Sequence, residues 1–172
     1  MVFSMIEINK MTKAEFITIV GAVFEHSPWV AEKAWDSHPF SSFEKMYEVL
    51  VKEMNNGDHA LKLSLLRAHP DLGSKLEMSE TSKLEQKNAG LSELSEQEFR
   101  EFSSLNKSYV EKFGFPYIMA VKGKTKETIK TNLKERINNS YMEEFEAALD
   151  QVSKIARFRL EDLVDIQRES YQ

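Results

Sequence analysis

The sequence predicts an all-α fold: a single-domain bundle of roughly eight helices with short connections and one extended segment near residues 115–122. Three observations predict it. Apolar residues recur at spacings of three and four along most of the chain. Ser/Thr-x-x-Glu cap signatures precede several of these runs. Only "FPYIMAVKGK" reads as extended. With 172 residues, 41% of them apolar, the chain is large enough to bury the core of one domain spanning 1–172.

Thr12 and Glu15 form a capping box ahead of Phe16, Ile19, Val20, Val23 and Phe24. In "HSPW", Ser27 reads as a cap and Pro28 as the first helical residue of a short helix carrying Val30, Ala34 and Trp35. "DSHPF" breaks that helix. Ser41 and Glu44 form a second box, and Phe43, Met46, Tyr47, Leu50, Val51 and Met54 line one face of the next helix. After "NNGD", Asp58 caps a helix reaching about Ala68. Ser95 with Glu98 starts a long helix through Phe99, Phe102, Tyr109 and Phe113, and Gly114 stops it. Thr125 caps a helix carrying Ile129, Leu133 and Ile137. Ser140 with Glu143 opens the last helix, with Phe145, Leu149, Val152, Ala156, Leu160 and Leu163 inside.

Composition narrows the function classes. A net charge of −5 and a pI near 5.5 supply no field for nucleic acid or an anionic membrane. The absence of cysteine removes disulfides, thiolate zinc sites and cysteine nucleophiles, and fits a reducing compartment. "MVFSMIEINK" lacks a secretory pattern, and runs such as "YIMAV" are too short to span a bilayer, so the chain reads as a cytoplasmic protein. His26, His38 and His59 show no ligand spacing, so no metal is expected. No cofactor fingerprint is present.

Four polar features break the apolar pattern. Arg159 falls on the stripe of the last helix, seven residues after Val152 and three after Ala156, whereas Arg157 falls on the polar face. Arg159 either meets a carboxylate or snorkels to the surface. In "SETSKLEQKNAGL", Ser82, Glu85 and Gln86 share a helical side, although Ser82 and Glu85 also read as a capping box. His69, in "LLRAHPDLGSK", sits at a helix C-terminus with Pro70 fixing the turn; it reads as a cap or as an acid/base group held on a rigid corner. His38 also precedes a proline, so His-Pro alone proves little. The segment in "FGFPYIMAVKGK" carries backbone groups that need partners, either a planar polar ligand or side chains and water. Together these features suit a small, anionic, amide-rich substrate.

"HPDLG", "SKLEQKNAGL", "FGFPYIMAVKGK" and "IARFRLEDLV" occur in the order and with spacings that resemble the 2-oxo-4-hydroxy-4-carboxy-5-ureidoimidazoline (OHCU) decarboxylase family of urate degradation. The likeness extends to "FEHSPWVAEKAW" and "HPFSS". The spacer between the first two motifs is shorter than in several relatives. The resemblance implies a cofactor-free carboxy-lyase, all-helical and often a homodimer, that makes (S)-allantoin and CO2. It also implies a functional link to urate oxidase and hydroxyisourate hydrolase, and a chain that is either complete or one domain of a fusion with urate oxidase. By motif, His69 resembles the catalytic proton donor and Pro70 lines the substrate. Ser82, Lys83, Leu84, Glu85 and Gln86 resemble the substrate-binding helix face. Tyr117, Ile118, Met119, Ala120 and Val121 resemble the backbone contacts to the ring and ureido amides. Arg159 resembles the arginine that meets a substrate oxygen.

Loss of CO2 leaves an electron pair that must enter the ring and then take up a proton. One-face protonation by His69 would give a single enantiomer. Glu85 could orient His69, take the hydroxyl proton or repel the substrate carboxylate. The rival readings are a helical binding module and a pseudoenzyme that binds ureido compounds without turnover.

Overall fold

The computed structural model describes residues 1–70, 80–91 and 93–167, with backbone alone at 80–83. Nine α-helices appear among the described residues: α1 Met5–Asn9, α2 Lys13–Ile19, α3 Trp29–Ala34, α4 Phe43–Asn56, α5 His59–Arg67, α6 Glu80–Asn88, α7 Glu96–Phe113, α8 Lys126–Arg136 and α9 Tyr141–Leu163. Among those residues the only β-pairing is a single bridge between Phe3 and Val164. The all-α expectation holds, with α1 as a helix beyond those predicted. Its own capping box, Ser4 with Glu7, was present in the sequence.

The chain divides into two compact units, one of residues 1–65 with the chain from 153 onward, the other of 66–152. In the first, Phe16 contacts Trp35 and Phe40 at ring distances of 5.4 and 5.5 Å. Ile8, Val20, Val30, Met46, Leu50 and Leu160 are buried as well. A Cβ on Gly21 would lie 3.0 Å from the Ala31 Cβ, so a glycine just past the end of α2 permits close approach to α3. The predicted run through Val23 and Phe24 breaks after Ile19, and a 3₁₀ turn, Gly21–Val23, comes next. In the second unit Tyr109 packs on Phe113, Phe115 and Tyr117, and Phe115 meets Tyr141 and Phe145.

Capping agrees with the sequence at Thr12, Asp58, Ser95, Thr125 and Ser140. It departs at three points. Ser42, not Ser41, caps α4 by accepting from the Lys45 N–H, which leaves Glu44 to pair with Arg157. Ser27 does not cap α3; its hydroxyl donates to the Glu25 carbonyl at 3.0 Å, and Pro28 takes the N-cap position. At α6 the helix already runs from Glu80, so Ser82 lies inside it rather than at its N-cap.

Candidate active site

His69 comes directly after α5. A nine-residue helix is too short to be stable alone. It is held by its core side: Leu65 and Leu66 are fully buried, each worth about 1.5–3 kcal/mol. The His69 N–H donates to the Leu66 carbonyl at 3.2 Å, closing the last turn. Arg67 Nε donates to the Gly114 carbonyl at 2.9 Å, tying the corner to the left-handed C-cap of α7, where φ is 77°. The imidazole is 7% exposed and its Nε2 is buried. The corner thus buries a titratable ring on a backbone that these bonds fix. Pro70 is half-buried. The rest of the "HPDLG" motif and the spacer as far as residue 79 lie outside the described residues.

Helix α6 carries Glu85, half-buried, and Gln86, 7% exposed. Its end is a Schellman motif. Gly90, at φ 80°, donates to the Lys87 carbonyl, and the Leu91 N–H donates to the Gln86 carbonyl at 2.9 Å. The motif fixes the backbone at Gln86, and Ala89 and Leu91 bury their side chains beside it. Leu84 points outward, 58% exposed. The side chains of Ser82 and Lys83 lie outside the described residues.

Residues 115–121 are neither helix nor strand, and Phe115, Pro116, Tyr117, Ile118, Ala120 and Val121 are buried. Two of the segment's backbone groups bond to side chains. The Ile118 carbonyl accepts from Arg136 Nη1 at 2.6 Å, and the Ala120 N–H donates to Gln151 Oε1 at 2.9 Å. For these two groups the connector alternative of the sequence reading is what occurs. Behind them lies a charged network. Arg136 donates through Nε and Nη2 to Glu144, which is 0% exposed and also accepts from Asn139 Nδ2 and the Tyr109 hydroxyl. The guanidinium lies 4.8 Å from the Tyr117 ring centroid. Burial works against its charge, but the bonds to Glu144 prevail and hold its pKa above the usual value. Burial pushes the Tyr109 phenol well up, reinforced by the Glu144 carboxylate; burial likewise raises Tyr117, against the opposing charge of Arg136.

Arg159 does meet a carboxylate. Its Nη1 donates to Glu25 Oε2 and to the Val23 carbonyl, both at 3.1 Å. Both residues are buried, so the snorkelling alternative fails. The turn that delivers Glu25 places His26 at φ 47°, in the left-handed region. Arg157 lies on the outer face, bound to Glu44 and Glu161. His38, the second His-Pro histidine, is structural: Nε2 lies 2.7 Å from the Asn9 carbonyl and the ring stacks on Trp35.

A family model described as OHCU decarboxylase matches residues 9–161. The chain belongs to the OHCU decarboxylase family. A "2-oxo-4-hydroxy-4-carboxy-5-ureidoimidazoline decarboxylase" of Halalkalicoccus jeotgali is 42% identical over 157 residues, 91% of this chain and 89% of that protein. A "Uric acid degradation bifunctional protein" of Bacillus sp. strain TB-90 is also 42% identical, but this chain spans only 31% of its length. A solved structure described as (S)-allantoin synthase superposes with a TM-score of 0.78 at 30% identity, covering 95% of this chain and 55% of that one.

Within this family member, His69, Pro70, Glu85, Gln86 and Tyr117–Val121 all fall in the unit 66–152, while Arg159 and Glu25 belong to the other. Among the described residues no group of three His, Asp or Glu side chains could hold a metal ion. No helix among them is long and apolar enough to cross a membrane. The sequence reading missed Glu25, Arg136, Glu144 and Gln151. For two of them a signal existed. Arg136 lies three residues after Leu133, and Glu144 lies four and eight residues before Ala148 and Val152, so both fall on apolar stripes as Arg159 does.

Proposed function

We propose that this protein decarboxylates OHCU to (S)-allantoin and CO2, with His69 delivering the proton to one face. Family membership across residues 9–161 supports the reaction, and the burial of His69 on a corner fixed by Leu65, Leu66 and Arg67 supports the role. The bond from ring carbon to carboxylate breaks and CO2 leaves. Its electron pair enters the ring, and the imidazolium of His69 returns a proton to carbon. A positioned general acid is worth about 10²–10⁴-fold. Water reaching the other face would give the opposite enantiomer, so a sealed ring favours a single product.

Glu85 serves as orienter, base or repulsive neighbour of the departing carboxylate, and Gln86 as an amide partner for the ureido group. Ser82, Lys83, Leu84 and Pro70 complete the proposed substrate surface, with backbone donors and acceptors of 117–121 against the ring. Arg159 is assigned charge stabilisation of a substrate oxygen, which requires its guanidinium to share or leave the bonds to Glu25 and Val23. The chain is read as one functional domain, as a single family match running from 9 to 161 supports. A cytoplasmic homodimer completes the proposal, and sedimentation tests the dimer. Enzyme supplied with substrate made in situ from urate should release CO2 faster than the blank. Saturable ligand binding with no CO2 release would favour a binding module.

A further inference from the structure

We propose that Arg136 and Gln151 are positioning residues for this reaction: each holds one backbone group of the 117–121 segment, and together they set where that segment meets substrate. The inference rests on the reading of 117–121 as substrate-contacting backbone. Two bonds carry it, Arg136 Nη1 to the Ile118 carbonyl at 2.6 Å and the Ala120 N–H to Gln151 Oε1 at 2.9 Å.

These two bonds commit the Ile118 carbonyl and the Ala120 N–H to the protein's own side chains. The N–H and C=O of Met119, the residue between them, bond to no described residue. Of the backbone groups assigned to the ring and ureido amides, those of Met119 therefore sit between the two anchors. A shift of either anchor rotates or slides the whole segment, and the Met119 groups move with it.

The two anchors are built differently. Arg136 is braced: its other nitrogens are held by Glu144, and Tyr117, the residue before the anchored carbonyl, lies under the guanidinium with its hydroxyl donating to Asn132. A lysine would keep the charge but lose the fork that reaches carboxylate and carbonyl together. Gln151 is half-buried on α9, so its amide can be changed without stranding a charge.

The test compares wild type with Gln151→Leu, Gln151→Glu and Arg136→Lys, measuring kcat and KM on freshly generated OHCU and the melting temperature of each. Gln151→Leu should lower kcat/KM about three- to tenfold, the worth of one net hydrogen bond, mainly through KM, and the stranded Ala120 N–H should lower melting by about 2–12 °C, which leaves the protein folded at assay temperature. Gln151→Glu, which restores an acceptor, should recover most of that loss. Arg136→Lys should lower kcat/KM in its folded fraction as well; if it does not fold, the Gln151 pair decides. A role confined to stability would move melting and leave kcat/KM at the wild-type value. An active wild type matched by folded Gln151→Leu overturns the positioning role alone. An inactive wild type overturns the proposed reaction and this role with it.

Discussion

Replacing Glu144 by leucine should be among the most damaging single changes outside the proposed site. The carboxylate is fully buried and accepts from Arg136 Nε at 3.1 and 3.0 Å and Nη2 at 2.7 Å, from Asn139, and from the Tyr109 hydroxyl. Glu144→Leu leaves the Arg136 charge buried without its counterion, at about 3–5 kcal/mol. That is a large part of a typical total stability of about 5–15 kcal/mol. At about 2–4 °C per kcal/mol for a chain of this size, melting should fall by about 6–20 °C. Arg136→Met should cost about 3 kcal/mol, because Tyr109 and Asn139 still donate to the stranded carboxylate. The double variant removes both charges. It strands the Ile118 carbonyl and the Tyr109 hydroxyl, at about 1–3 kcal/mol each, while the half-buried Asn139 amide also loses its acceptor. Its cost should therefore fall about 2–4 kcal/mol short of the sum of the singles. Urea denaturation at constant m-value measures all three. Additive costs, or a Glu144→Leu variant within about 1 kcal/mol of wild type, would refute the buried hub.

Two further predictions concern charge. Tyr109 and Tyr117 both have raised phenol pKa values, so the folded state keeps protons that the unfolded chain releases above about pH 10. Their stabilisation is fully present below that value and is lost as pH rises beyond it. The slope should reach about 1.4 kcal/mol per pH unit for each tyrosine. Tyr117→Phe should make alkaline unfolding shallower; an unchanged slope would show that its phenol does not stay protonated on folding. In the other unit, Glu25→Gln keeps an acceptor for Arg159 Nη1 but loses the counter-charge. It should cost about 1–3 kcal/mol in denaturant melts, and no loss at all would mean that the 3.1 Å contact carries no net stabilisation.

What could be read from the sequence was local. Capping boxes at Thr12, Ser95 and Ser140 are set by residues three apart, and they formed as read. Ser41 failed because Ser42 offers the same chemistry one residue later, and Glu44 instead pairs with Arg157, 113 positions away. The stripe rule placed Arg159 in the interior, but nothing in the sequence named Glu25, 134 positions earlier, as its carboxylate. Arg136 and Glu144 passed for helix-end charges suited to the macrodipole, basic in a last turn and acidic in a first turn. Their places on apolar stripes hinted at burial, but only packing shows that the two meet each other. The 115–121 segment was legible as non-helical, but its two side-chain anchors depend on tertiary placement and were not.

The central claim is that His69 protonates one face of the ring after CO2 is lost. The most direct measurement tracks circular dichroism of the product as wild-type and His69→Asn proteins consume OHCU generated from urate. The account predicts an (S)-allantoin signal that grows well above the spontaneous rate with wild type. It predicts that His69→Asn, folded by melting analysis, loses about 10²-fold or more in rate. Wild-type turnover and product chirality in that variant would contradict it.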